Sequence, residues 1–387
     1  MATAAHSTPL PAPSADAAAL SERLARLIAS EIERGGGWLS FARYMELALY
    51  APGLGYYMAG ARKLGRDGDF VTAPEISPLF GRTLARQLQQ LAGPQPGDIL
   101  EIGAGSGALA ADVLLELERL GCAPRSYLIL ELSPDLRDRS RDTLAARAPH
   151  LLERVAWLNQ LPPRFEGVVL GNEVLDAMPV HVFQRYGGRV RELGAALENG
   201  RFRWAPNEES ASAAVDPSWF AEDGYRSEVQ LVAAAFIRSV GRMLTRGAAL
   251  FIDYGFPRRE YYHPQRTQGT LICHYRHRAH DDPFFLPGLQ DITSHVDFTG
   301  IADAGREGGL ELLGYSNQAQ FLVNCGITDL LAETPAADVA AYAPLASQAQ
   351  KLLSPAEMGE IFKVIAFGKG VIGPLPGFAQ GDKTHSL

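Results

Sequence analysis

Cysteine is scarce in this chain of 387 residues: Cys122, Cys273 and Cys325 are its three, and they lie far apart. Such spacing excludes a disulfide framework or a metal knuckle and points to a reducing compartment, so a cytoplasmic location is expected. No apolar run approaches the ~18 residues of a membrane span, and membrane insertion is not expected. The opening MATAAHSTPLPAPSADAAAL has no basic stretch ahead of an apolar core and lacks the arginines of a transit peptide. It reads as a disordered Ala/Pro tail over 1–20. Positive charge is in the minority. Against 44 Asp and Glu stand 36 Lys and Arg, a net charge of -8, which argues against a general nucleic-acid binder. Nothing resembles a G-x-S-x-G elbow or a phosphate loop with its lysine.

What is present is an ordinary globular composition, and the length suits one enlarged domain or two. Ser21–Arg34 carries Leu24, Leu27, Ile28 and Ile32 at helical spacing and stops at three glycines. Phe41–Tyr50 is a second amphipathic helix, and Pro74 to Leu91 is expected as another. Strand and helix then alternate: Asp98–Ile102, Ala108–Leu120, Tyr127–Leu130, Pro134–Ala146, Val155–Leu158 and Val168–Leu170, with Ala248–Ile252 and Phe362–Phe367 further on. That rhythm implies an α/β fold with a doubly wound, mostly parallel sheet.

Two stretches break the rhythm. His181–Pro206 alternates as β-hairpins, turning at Gly187–Gly188 and Asn199–Gly200. Gly255–Gly309 is aromatic and polar and too long for a plain connection, as expected of a substrate-side insertion. The units expected are therefore N-terminal helices and a flap over 21–95, a cofactor-binding half over 96–180, a hairpin insertion over 181–230, and the rest of the sheet over 231–368. The tail 369–387 reads as disordered.

The segment LEIGAGSG follows a strand and opens a helix, where glycines let backbone approach a ligand and the helix start offers free N–H groups. Glu101 lies at the strand end, where a carboxylate can meet a ligand ammonium. The glycines fall at Gly103, Gly105 and Gly107, with Ala108 where a dinucleotide fingerprint places its last glycine. Glu131 ends the next strand and can accept both ribose hydroxyls. The bland alternative is a tight turn beside a surface glutamate.

Upstream, LGYYMAGARKLGRDGDFVTAPEISPLFG packs Tyr56, Tyr57 and Phe70 near Arg62, Lys63 and Arg66. This suits a flap that closes over a ligand, or an ordered Ω-loop in which Thr72 or Ser77 caps the helix holding Glu75. In VVLGNEVLDAMPV a buried strand ends at Asn172, Glu173 and Asp176, the place where open α/β sheets bind ligands. Carboxylates there can orient a guanidinium or amine; otherwise Asn172 caps a helix and Asp176 is solvated. His274, His277 and His280 have a tempting spacing, but Arg276 and Arg278 between them disfavour a metal.

Taken in order, GDFVTAPEISPLFG, ILEIGAGSG, LILELSP, GNEVLDAMPV and ALFIDYG resemble the MidA-like methyltransferases, over about Glu31 to Gly368. The resemblance implies a class I methyltransferase fold with an added α/β insertion and S-adenosylmethionine as cofactor. Its mitochondrial member is a complex I assembly factor that methylates arginine, so a protein substrate, and within the family a respiratory complex I subunit, is implied. It also implies that Gly103, Gly105 and Gly107 wrap the methionine part, that Glu131 binds ribose, and that Asn172 and Glu173 sit where the methyl moves. With Ala104, Leu132, Phe70, Thr72 and Glu101 as further cofactor contacts, Asp176 as a third catalytic candidate and no metal ligand, the expected site is complete. A nicotinamide-dependent oxidoreductase and a non-catalytic assembly chaperone are the competing readings, and a homodimer is left open.

Overall fold

In the computed structural model, residues 10–59, 71–92, 97–208, 215–371 and 374–387 are described. The chain opens with α1 (Ala15–Arg34), the short β1 (Leu39–Ser40) and α2 (Phe41–Tyr50). Helix α1 starts six residues inside the stretch expected to be a tail, because Ser14 caps it by accepting the Ala17 N–H. The single helix expected over Pro74–Leu91 is two, α3 (Ala73–Ile76) and α4 (Pro78–Ala92). Pro78 cannot continue a helix through Ser77, so the chain breaks there.

The alternating core follows: β2 (Asp98–Ile102), α5 (Ala108–Arg119), β3 (Ser126–Leu130), α6 (Pro134–Arg147), β4 (Val155–Leu158) and β5 (Phe165–Asn172). An excursion then runs through β6 (His181–Tyr186), β7 (Arg189–Glu198), β8 (Arg201–Pro206) and β9 (Arg226–Val229). Next come α7 (Leu231–Met243), β10 (Leu244–Phe256) and α8 (Arg258–Tyr261), followed by the small strands β11 (Ile272–Tyr275), β12 (Arg278–His280), β13 (Asp291–Thr293) and β14 (Val296–Asp297). The chain closes with α9 (Phe298–Glu307), β15 (Glu311–Asn317), α10 (Gln318–Asn324), α11 (Ile327–Ala332), α12 (Val339–Leu353) and β16 (Phe362–Lys369).

The main sheet has the order β15-β16-β10-β5-β2-β3-β4. Strands β10, β5, β2, β3 and β4 run parallel, and β16 is antiparallel to both neighbours. Both faces are covered. Leu250 and Ile252 of β10 point into the core that holds α4, α5 and α12, whereas Ala249 and Phe251 point to α7 and α9. That two-residue alternation inside a continuous apolar run is what a doubly covered strand requires. A second sheet, β1-β7-β6-β9 with β8 on β7, joins the strands of 181–229 to the N-terminal β1, and α1 and α2 pack on it through Leu24, Ile28, Phe41 and Leu193.

Two expectations need correction. The insertion expected over Gly255–Gly309 ends early: α9 returns to the main sheet, burying Phe298, Ile301 and Ala302 against it. The tail 369–387 is not disordered over its described residues. Leu375 and Phe378 are buried, Phe378 meets Phe321, and the Gly377 N–H donates to Gln87 at 2.8 Å. Two apolar anchors in a short Gly/Pro-rich segment suffice to hold it, and they leave no periodic signal.

Candidate active site

Strand order reverses between β2 and β5, so the loops leaving their carboxyl ends diverge and open a crevice. A cavity of about 1060 Å³ occupies it. Its floor is the glycine loop. Gly103, Gly105 and Gly107 have φ of 68, 55 and 81°, a region that side chains with a Cβ adopt at a cost. A Cβ on Gly107 would fall 2.8 Å from the Ser140 backbone, so this glycine is also needed for helix packing.

Three carboxylates border the loop in different ways, two of them predicted. Glu131 accepts the Gly105 N–H at 3.2 Å and the Ser133 N–H at 2.9 Å, which ties the end of β3 to the glycine turn. Glu101 lies beneath the loop, 1% exposed, and accepts the Tyr127 hydroxyl at 2.7 Å. Burial, and next the proximity of Glu131, push its carboxyl up to about 7, against the Tyr127 bond. Glu75, noted from sequence only as a helix residue, accepts the Ser106 hydroxyl and lines the cavity. Leu132 is 60% exposed on the lip of the cavity, an apolar side chain where a flat base would cover it. Ala104 and Thr72 also line the cavity; Thr72 precedes α3 and makes no side-chain cap bond. Phe70 lies outside the described residues.

At the end of β5, Asn172, Glu173 and Asp176 lie together in the cavity lining. Glu173 is a non-glycine residue at φ 53°, and strain of this kind persists where the surroundings fix it. Its N–H donates to the Ile252 carbonyl at 2.8 Å. Its Oε1 accepts the Ala73 N–H at 3.3 Å and the Asn172 amide at 3.1 Å. No helix follows Asn172, so it caps none, and Asp176, at 5% exposure, is not solvated. Asp176 accepts the Tyr254 hydroxyl. Asp253, fully buried on β10, accepts the Leu175 and Asp176 N–H groups at 2.8 and 3.2 Å and so shapes the turn that carries Asp176.

Burial is the main cause that raises all three carboxyls. Glu173 is pushed up to about 8, with Asp176 adding to the effect, and Asp176 to about 6; Asp253 is held well above the usual carboxylate range. A raised carboxyl favours the neutral form in the fold. The stability Glu173 contributes is therefore complete below about 4.5 and is lost as pH rises through about 8. Glu173→Gln should consequently raise the thermal midpoint of the ligand-free protein above pH 8 relative to wild type and leave it unchanged near pH 4. Calorimetry finding equal midpoints at both pH values would refute this.

Sequence reasoning missed Tyr50, Tyr254, Asp253, Asp291, Thr293 and His295, all at or beside the cavity, whereas Tyr57, expected in a flap over a ligand, lines the cavity. Asp253 and Tyr254 had a usable signal, since they directly follow the apolar run Ala248–Ile252 of β10. Of the histidines, His274 lines the cavity, while His277 sits in the β11–β12 turn at φ 62° and His280 lies across from Cys273. The hairpin disperses them, and among the described residues no group is placed to hold a metal.

Among the described residues the cavity lining carries seven carboxylates, Glu46, Glu75, Glu101, Glu131, Glu173, Asp176 and Asp291, against one arginine, Arg43, which pairs with Glu31 and Glu46. A dinucleotide pyrophosphate would face that field unfavourably. A sulfonium beside an ammonium fits it, and the glycine turn, Glu131 and the uncovered Leu132 suit a nucleoside attached to an amino acid. The fold and this site define a class I methyltransferase.

The chain belongs to the family described as "Putative S-adenosyl-L-methionine-dependent methyltransferase", which matches residues 79–316. It is an S-adenosylmethionine-dependent methyltransferase. It is 31% identical to the mouse protein named protein arginine methyltransferase NDUFAF7, mitochondrial, covering 85% of this chain and 81% of that one. The zebrafish protein of that name is 28% identical over 90% and 88%. Among solved structures, a Burkholderia thailandensis protein bound to S-adenosyl-homocysteine superposes with a TM-score of 0.95 at 52% identity, covering 98% of this chain and all of that one.

Proposed function

We propose that the protein methylates arginine side chains of another protein. One observation carries this reading: the acid-lined cavity retains Glu173, Asp176 and Asp291 on the side away from the glycine loop, where a cationic acceptor is matched. The names of the mouse and zebrafish relatives agree with it. S-adenosylmethionine supplies the electrophilic methyl group on its sulfonium. The chain's own task is alignment and exclusion of water, because an in-line displacement needs little else. Glu173, pinned by Ala73 and Asn172, orients the acceptor nitrogen. That nitrogen sheds a proton as it gains the methyl, and Asp176 is placed to take it.

A respiratory complex I subunit is the first candidate acceptor, on the resemblance of the sequence motifs. The cytoplasm is the proposed location, which the free cysteines Cys122, Cys273 and Cys325 suit. Labelled S-adenosylmethionine, incubated with purified protein and a lysate lacking it, should place label in methylarginine after hydrolysis. Label in methyllysine, or none above the lysate alone, would reject the proposal.

Cofactor retention gives a further expectation. Glu131 holds the glycine turn and is the acceptor proposed for ribose. Glu131→Ala should therefore weaken S-adenosyl-homocysteine binding by roughly 10–100-fold, the loss of about 1.5–3 kcal/mol for charge-assisted bonds. A folded variant with unchanged affinity in calorimetry would assign the residue to structure alone.

A further inference from the structure

Seven large apolar side chains are exposed among the described residues, and four of them, Val71, Leu132, Val232 and Ile361, line the active-site cavity. Scattered apolar side chains at a surface need no explanation, whereas convergent ones mark a contact. Leu132 follows Glu131 at the cofactor end. The other three lie toward the acceptor carboxylates. Val71 stands two residues before Ala73, whose N–H donates to Glu173. The Ile361 carbonyl accepts the Gly255 N–H at 3.3 Å, beside Tyr254, whose hydroxyl donates to Asp176. Val232 stands two residues after Gln230, whose amide donates to the His295 carbonyl at 3.0 Å, and His295 meets the Tyr254 ring edge-on at 5.1 Å.

This lip is held in place and carries no charge of its own. Phe236, one turn beyond Val232, meets Phe251 edge-on at 6.2 Å, and Phe362, next to Ile361, meets Tyr254 at 5.4 Å; both rings line the cavity. Helix α7 opens with LVAAAF, without a charged residue. The charged neighbours of Ile361 are engaged elsewhere: Glu360 pairs with Lys383 at 3.2 Å, and Lys363 Nζ donates to the Ile361 carbonyl at 3.5 Å. The cavity is therefore acidic within and apolar at this entrance. The two zones ask different things of a ligand, a cation inside and an uncharged apolar group at the mouth.

We infer that Val71, Val232 and Ile361 form a docking lip for an apolar side chain that neighbours the methylated arginine in the sequence of the acceptor protein. This rests on the reading of the acceptor as a protein arginine. A side chain reaches Glu173 and Asp176 only when its backbone stands at the mouth. Consecutive Cα atoms are about 3.8 Å apart, so the residues on either side of it meet the lip. An apolar flank there removes apolar surface from water on both partners. An acidic flank is repelled by the carboxylates inside, and it loses water against side chains that offer it no hydrogen bond.

The test titrates blocked pentapeptides into the full chain saturated with S-adenosyl-homocysteine, followed by calorimetry. The peptides are acetyl-Gly-Z-Arg-Z-Gly-amide with leucine, serine or aspartate as Z, and the same three with lysine in place of arginine. Wild type should bind the leucine-flanked arginine peptide about tenfold tighter than the serine-flanked one, the gain from covering roughly one leucine side chain, and the aspartate-flanked one most weakly. V232S/I361S alters two exposed side chains and should keep the fold, with S-adenosyl-homocysteine affinity within about twofold. Its preference for leucine over serine should shrink to about twofold or less. Equal wild-type affinity for the leucine and serine peptides, or an undiminished preference in V232S/I361S, overturns the lip while the arginine reading stands. Tighter binding of the lysine peptides overturns the arginine reading, and a leucine preference within that series, lost in V232S/I361S, keeps the lip for a lysine acceptor. Failure of all the peptides to bind overturns both. A wild-type dimer in sedimentation that V232S/I361S dissolves would assign the lip to a second copy of this chain and overturn its role in acceptor docking.

Discussion

Glu173→Gln should cut methyl transfer by roughly 10²-fold, the size of one preorganised electrostatic contact, and leave S-adenosyl-homocysteine affinity within a few-fold. Glutamine keeps the shape, and its amide oxygen can still accept the Ala73 N–H that Glu173 accepts at 3.3 Å. What it removes is a group that can ionise beside a bound guanidinium and sulfonium, whose charge then aligns the acceptor nitrogen as the methyl group arrives, a contact strongest in the transition state. The wild-type carboxyl is pushed up to about 8 by burial, so the fold bears a cost to keep an ionisable group there. The substitution should relieve that cost and abolish most turnover together. Single-turnover transfer and calorimetry on one preparation decide the matter. Collapse of cofactor affinity would move Glu173 to the cofactor site, and surviving turnover would leave it a structural elbow residue.

Gly105→Val should reduce S-adenosyl-homocysteine affinity about 100-fold or more, combining backbone strain of order 1–3 kcal/mol with a branched side chain in the ligand's volume. Gly105 has φ 55°, its N–H is held by Glu131, and it lines the cavity. Valine is among the residues least tolerant of that conformation, because its two γ-carbons crowd the backbone. Either it distorts the loop or it fills the cofactor's place. Since Gly105 precedes α5 and borders open cavity, the global fold should persist, and a thermal midpoint near wild type would show it. Wild-type affinity in a folded Gly105→Val protein would remove the loop from the cofactor site.

The parts of this molecule legible in its sequence are those governed by local rules. Asp98–Ile102, Ser126–Leu130 and Phe165–Asn172 are apolar runs that end in glycine or acid, and a parallel sheet covered on both faces yields just such runs. Asn172, Glu173 and Asp176 could be found because strand ends of such sheets face the ligand. Asp291 could not, nor could its pairing with Tyr57, a residue the sequence places only in a flap. They reach the cavity from a three-residue strand and from a turn after α2, 234 positions apart in the chain, and no period or spacing links them. The tail was misread for a related reason. Leu375 and Phe378 are anchored by what they fill, Phe378 lying against Gly314 where a Cβ would meet its ring at 2.2 Å, and a gap in a distant strand is invisible from the tail's own residues.

Helix α3 spans four residues, yet it touches both halves of the site. Glu75 accepts the Ser106 hydroxyl of the glycine loop, and the Ala73 N–H donates to Glu173 at the end of β5. Any ligand that draws one of these loops to a new position works against, or with, the same short lever. Occupancy of one side then carries a free-energy consequence for the other, and that coupling is reciprocal: the factor by which cofactor tightens the hold on acceptor is the factor by which acceptor tightens the hold on cofactor. The product, sharing the glycine loop but lacking the transferable methyl, would retain most of this leverage. The affinity of a methylated protein would therefore differ between an enzyme still holding S-adenosyl-homocysteine and one that has released it, by the factor with which that protein alters the hold on S-adenosyl-homocysteine.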